Sequence, residues 1–154
     1  MSLRKRYRED LKMMILDLLS RTPYHTYGLM REIERSIGFR PPIGMIYPLM
    51  KCLHREGLVN IEIQSRGERR LKIYSLTESG VRFVNENRDK IERAKNTFER
   101  LKKIRDLGVE KIFTSMRDLY EKIDSLTPDQ INRVKILFDY FERELRAVLE
   151  SGGR

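Results

Sequence analysis

The side chains in this chain best suited to chemistry are basic and aromatic, and they cluster. Arg66, Arg69, Arg70 and Lys72 fall within seven positions around Gly67. Tyr47, Lys51 and Arg55 are spaced by four, which puts them on one face if the segment is helical. Arg4, Lys5 and Arg6 form a third basic group. Guanidinium and ammonium groups in such clusters suit phosphate oxygens, and an arginine can also read the potential of a narrow minor groove. Tyr47 can offer a hydroxyl to a phosphate or an apolar edge to a thymine methyl. The blander alternatives are a solvated loop for the arginines, core filling for Tyr47 and a plain soluble terminus for Arg4–Arg6.

Catalytic chemistry is poorly served. There is no phosphate-cradling glycine-rich loop, no paired-carboxylate signature and no nucleophile beside a histidine. No catalytic residue and no cofactor are expected, and the chain reads as a non-enzyme. His25 and His54 have no second ligand at helical spacing, and the single Cys52 excludes an intrachain disulfide and a structural zinc cluster. No metal site is expected. Cys52 reads as an ordinary half-buried residue, with a redox switch as the alternative.

Charge points the same way as the clusters. The 154 residues hold 32 Lys and Arg against 23 Asp and Glu, a net charge of +9. That balance suits polyanions, nucleic acid first and an anionic membrane surface second. Residues 1–76 carry 15 basic against 8 acidic side chains, a net of +7, whereas residues 77–154 carry 17 against 15. A basic binding half followed by a nearly neutral assembly half would have this division. The longest apolar run, Met13–Leu16, is far short of the roughly 20 residues of a membrane span. No apolar signal-peptide segment follows Arg4-Lys5-Arg6. A cytoplasmic protein with no membrane partner is expected.

The elements that must position these residues are legible from period and punctuation. Leu11, Met14, Ile15, Leu18 and Leu19 repeat at three and four, a helix ended by Pro23. Thr26 is placed to cap a second helix with Leu29, Met30, Ile33 and Ile37 inward and Gly38 as its stop. After Pro41-Pro42, a third helix beginning near Gly44 carries Ile46, Leu49, Met50 and Leu53 as its core stripe. Its outward positions are Met45, Tyr47, Pro48, Lys51 and Arg55. The period then changes to two: Val59, Ile61 and Ile63 form the inward face of a strand, Ser65–Arg70 a polar loop, and Leu71–Leu76 a second strand. Three helices followed by a hairpin make a winged helix.

Everything after Thr77 reads helical. Thr77 can cap a long helix in which Val84, Ile91 and Phe98 are seven apart, interrupted by Gly108. Another apolar face runs from Val109 to Ile123. Thr127-Pro128-Asp129-Gln130 is a capping-box start for a last helix. There Ile131, Val134, Phe138, Phe141, Leu145 and Val148 form a heptad seam. The seam is expected to join two copies of the chain, supported by the Val84, Ile91 and Phe98 stripe, with packing inside one chain as the alternative. A two-fold dimer would present two recognition helices about 34 Å apart, one DNA turn.

Three stretches carry a resemblance to a known family. Tyr24-His25-Thr26-Tyr27-Gly28-Leu29 is similar to the start of the second helix in PadR-family transcriptional regulators. Gly44-Met45-Ile46-Tyr47-Pro48-Leu49, with Leu53 and Glu56-Gly57-Leu58-Val59, resembles the family's recognition helix and its exit. Arg69-Arg70-Leu71-Lys72-Ile73-Tyr74-Ser75-Leu76-Thr77-Glu78-Ser79-Gly80 resembles its second wing strand and the following helix start. Pro42-Ile43 stands where the family commonly has Ser-Pro, and Met45 where it has Thr, so backbone N–H groups of Gly44 and Met45 are left to meet a phosphate there.

The resemblance implies a mostly α protein with a small β-hairpin, a winged helix-turn-helix over residues 1–78 followed by an α-helical dimerisation domain over 79–154. It implies a homodimeric repressor of an inverted-repeat DNA operator, responsive to a small-molecule effector that the sequence does not name. Tyr27, Gly44, Met45, Tyr47, Pro48, Lys51 and Arg55 would face DNA, with Arg66, Arg69, Arg70 and Lys72 on the wing and Arg4, Lys5 and Arg6 as a flexible arm. A sequence-indifferent architectural DNA binder and a helical protein–protein adaptor are the rival readings.

Overall fold

In the computed structural model, which describes residues 3–67 and 69–152 apart from the side chains of Leu3, Arg4, Arg66 and Arg69, the chain divides into two compact units, Met1–Leu107 and Gly108–Arg154. The first contains α1 (Leu3–Leu19), β1 (Tyr24–His25), α2 (Thr26–Ile37), α3 (Ile43–Arg55), β2 (Val59–Arg66), β3 (Arg69–Leu76), α4 (Glu78–Glu86) and α5 (Arg88–Asp106). The second contains α6 (Val109–Lys122), a 3-10 turn (Ile123–Ser125) and α7 (Pro128–Ser151).

The core of the first unit is built around α1. Its C-terminal half is buried on every side, because Met13, Leu16 and Asp17 join the expected Leu11, Met14, Ile15, Leu18 and Leu19 inside. Helices α2, α4 and α5 and strand β3 all pack on it. The buried Asp17 carboxylate is met by Arg21 Nη2 at 2.7 Å and Lys95 Nζ at 3.3 Å, so its charge is not left unpaired. Arg4, Lys5 and Arg6, expected as a flexible arm, instead lie in the first turn of α1.

The hairpin is joined by a strand that the sequence did not announce. Two residues, Tyr24 and His25, pair with Tyr74 and Ile73, so the sheet order is β1-β3-β2, antiparallel throughout. Tyr74 sits between Tyr24 and Ile61 and is 2 % exposed. His25, not Thr26, caps α2: its Nδ1 accepts a hydrogen bond from the Gly28 N–H at 3.0 Å. The ladder runs out to Arg66 opposite Arg69, further than the expected loop Ser65–Arg70 allowed. Gly67 at φ 62° supplies the left-handed backbone that so short a turn demands.

The long helix expected after Thr77 breaks at Asn87. This buried side chain donates from Nδ2 to the Phe83 carbonyl at 2.8 Å, closing α4, while the Asn87 backbone carbonyl accepts from the Lys90 and Ile91 N–H groups that open α5. The break lets both helices lie on α1. Val84, Ile91 and Phe98, expected at a dimer contact, are therefore 1–2 % exposed in the first unit's own core and unavailable to a second chain. Phe98 meets the Tyr7 ring edge-on at 5.7 Å, and Tyr7 stacks on Phe39 at 6.2 Å. Burial pushes the Tyr7 phenol up to about 12. The boundary after residue 78 thus moves to Leu107/Gly108.

In the second unit the capping box is formed as expected: Thr127 accepts from the Gln130 N–H, and Gln130 Oε1 accepts from the Thr127 N–H. Neither α6 nor α7 buries a single described residue. Phe138, Phe141, Leu145 and Val148 are 44–66 % exposed, and Ile131 and Val134 are half-buried.

Candidate nucleic-acid interface

Helix α3 separates its residues cleanly by face. Ile46, Leu49, Met50 and Leu53 are buried, whereas Tyr47, Pro48, Lys51 and Arg55 are exposed. The spacing that buries the first set necessarily turns the second outward. Pro48 lies in the second turn, where the Gly44 carbonyl loses its hydrogen bond but the helix continues. Gly44 is exposed, with no atom within 4 Å of where a Cβ would stand. Met45 does not face outward as expected. It is half-buried and packs against the core, and its N–H is already taken by the Pro42 carbonyl at 2.8 Å. No side chain caps α3.

The hairpin carries the second group. Ile61 and Ile63 lie opposite Tyr74 and Lys72, so all four share one face of the ladder. At Tyr74 that face is in the core; at Ile63, 63 % exposed, it has run off the core's edge. Ile63 is thus not inward as its alternation implied. Arg70 and Lys72 on the projecting part are exposed. Arg66 and Arg69 occupy opposed strand positions at its tip, and their side chains, like that of Arg4, lie outside the described set. Lys5 and Arg6 are exposed on α1, where Arg6 lines a cleft of about 450 Å³ with Lys90 and Arg93 of α5.

A concavity of about 550 Å³ lies where the start of α2 meets the start of α3, lined by Tyr27, Met30, Arg40, Pro42, Ile43 and Tyr47 among others. Tyr27 is 62 % exposed, with the Arg40 guanidinium 5.9 Å from its ring centre. Arg40 Nε also donates to Glu34 Oε2 at 2.9 Å. Sequence reading missed Ile43 because it started the helix near Gly44 and left Ile43 in the link before it, whereas α3 begins at Ile43.

Residues 15–86 match the transcriptional regulator PadR-like family. They form a PadR-like domain. Over 85 residues, 54 % of this chain, the sequence is 34 % identical to "Transcriptional regulator YqjI" of Escherichia coli K12, covering 40 % of that protein. The chain thus spans less than half the length of the curated relatives it matches. Among solved structures, a PadR-family transcriptional regulator of Eggerthella lenta is similar at a TM-score of 0.51 and 26 % identity over 64 % of this chain and 87 % of the other. A PadR-like transcription factor of Bacteroides fragilis is similar at 0.51 and 21 % over 61 % and 91 %.

The Leu76–Gly80 run of the PadR-like domain has a clear structural reason. Thr77 Oγ1 accepts from the Gly80 N–H at 2.9 Å, capping α4, and donates to the Gly57 carbonyl at 2.6 Å. The Thr77 N–H reaches the Leu58 carbonyl at 3.1 Å. A Cβ on Gly80 would stand 2.1 Å from that same carbonyl oxygen. One turn therefore locks the exit of α3, the base of the wing and the start of α4 together. His54 adds to the lock, its Nδ1 donating to the Val59 carbonyl at 2.8 Å.

A second tie holds the end of α3 to α1 through Lys12, just ahead of the matched segment. Lys12 Nζ lies 2.7 Å from Glu56 Oε2, and the Cys52 thiol donates to Glu56 Oε1 at 3.3 Å. Partial burial raises the Glu56 pKa, but the hydrogen bonds from Lys12 and Cys52 and the charges of Lys12 and Arg55 outweigh it, leaving the group below its ordinary 4.5. A carboxylate so lowered stabilises the fold above its unfolded pKa, and that contribution is lost as pH falls through the lower folded value. Urea unfolding of Glu56→Gln and the parent is expected to differ at neutral pH, with the parent more stable. The difference should close once the pH is taken below the folded value. A gap that is the same at every pH would show that the carboxylate charge contributes nothing.

Proposed function

We propose that the protein is a sequence-specific DNA-binding transcriptional regulator acting as a cytoplasmic homodimeric repressor. Helix α3 enters the major groove, the hairpin lies along the adjacent minor groove, and α7 joins two copies. The observation that carries this reading is the outward face of α3 in a PadR-like domain. Tyr47, Lys51 and Arg55 are presented to solvent by a helix locked at its C-terminal end, and the hairpin that follows it carries exposed Arg70 and Lys72. The exposed seam of α7 supports the dimer, because a two-fold pair of such faces buries what one chain leaves wet.

Selection of bound duplexes from a random-sequence library at near-physiological salt tests the reading. Enrichment of an inverted repeat with half-sites about one turn apart is expected. Binding without enrichment would favour an architectural binder, and no retention an adaptor. On an enriched duplex, the Arg66→Ala, Arg69→Ala and Arg70→Ala triple variant should show a shallower slope of log affinity against log salt. The slope should change by about 0.9 for each phosphate that the variant no longer neutralises. An unchanged slope would remove the wing from the interface.

A further inference from the structure

We infer that the concavity between the starts of α2 and α3 is a socket for the 5-methyl group of thymine, with Ile43 as its wall and the Tyr27 and Tyr47 rings beside it. The inference rests on the DNA-binding reading above and names what one part of that surface recognises. Three large apolar side chains converge there in the open: Tyr27 is 62 %, Ile43 55 % and Tyr47 43 % exposed. The chemistry of the lining is selective. It contains no carboxylate, and Arg40 is its one charged member. Pro41 and Pro42 at its edge have no N–H to donate, so the backbone there offers little to a phosphate or a base amide.

Position supplies the partner. The socket opens at the N-terminal end of α3, the end that meets base edges in a major groove, and the exposed Lys51 and Arg55 follow along the same helix. Gly44, with nothing within 4 Å of a Cβ, leaves room for close approach beside it. Of the four bases, only thymine projects an apolar group into that groove. Isoleucine with two tyrosine rings is therefore matched to a T·A pair. The side-chain hydrogen-bonding groups of the lining are the hydroxyls of Thr26, Tyr27 and Tyr47 and the Arg40 guanidinium, and its apolar surface is what the thymine methyl meets.

The test uses the full chain and the duplex enriched by selection. Each thymine is replaced in turn by uracil, which removes only the methyl group. Binding is expected to weaken about fourfold at one thymine of each half-site, the worth of a single buried methyl, and to change little elsewhere. In Ile43→Ala, whose side chain is 55 % exposed and whose folding is checked by its unfolding curve, the same uracil should cost less than about twofold. Uracil tolerated at every position would overturn the socket while leaving DNA recognition standing. So would a fourfold uracil penalty that survives Ile43→Ala. If no duplex is enriched at all, the DNA-binding reading fails first, and the socket falls with it.

Discussion

Gly80→Ala should destabilise the protein by about 3 kcal/mol, at the upper end of what an added methyl costs in a packed site. The Cβ would meet the Leu58 carbonyl oxygen at 2.1 Å and the Leu58 carbonyl carbon at 3.1 Å, and neither is a side-chain tip that can swing away. Helix propensity argues in the opposite direction, since alanine is better than glycine inside a helix by about 1 kcal/mol. The sign of the result therefore decides which effect governs. Gly44→Ala is the matched control, with the same exchange in another helix but open space around the new methyl, and should be neutral or stabilising by about 0.5 kcal/mol. In thermal unfolding, Gly80→Ala should melt more than about 10 °C below the parent. Melting at the parent temperature would mean that the α4 start does not rest on the α3 exit.

In the homodimer proposed above, Phe138→Glu is expected to leave the chain monomeric. Truncating a buried phenylalanine costs about 3–5 kcal/mol, so the dimer dissociation constant should rise by more than about 100-fold, and a carboxylate in the seam adds to that. Phe138 is 44 % exposed in the single chain, so the first unit should unfold at its usual temperature. Sedimentation equilibrium reads the mass, and the unfolding curve separates a failure of assembly from a failure of folding. A variant that stays dimeric would place the contact elsewhere.

The winged helix was legible because each element has its own period and its own punctuation. The stripe Ile46, Leu49, Met50 and Leu53 defined the inner face of α3, and its complement defined the outer one. Thr77 and Thr127 announced their helices and cap them. What was illegible depends on partners distant in the chain. β1 is two residues long and exists because Tyr74 needs a neighbour on that side. Met45 and Ile43 are both apolar residues in the first turn of α3, and only the surrounding chain decides that one packs inward while the other stays in solvent. The heptad spacing of Val84, Ile91 and Phe98 is real, but spacing says only that a face is apolar. That α1 covers it, rather than a second chain, is a matter of tertiary packing.

If a second copy covers the seam as proposed, the absence of any buried residue in α6 or α7 among the described residues ties their order to the amount of protein present. Helices of 14 and 24 residues with no core of their own are marginal in water. By mass action, whatever covers the seam also supplies the free energy that keeps the second unit ordered. In a homodimeric regulator, the fixed distance between the two recognition helices then comes into being only above the assembly concentration. Below it, each PadR-like domain has one half-site's worth of contacts, while the paired species grows with the square of chain concentration. For the proposed homodimer, copy number would then be an input to operator occupancy, and a modest change in expression would be read as a steep change in occupancy.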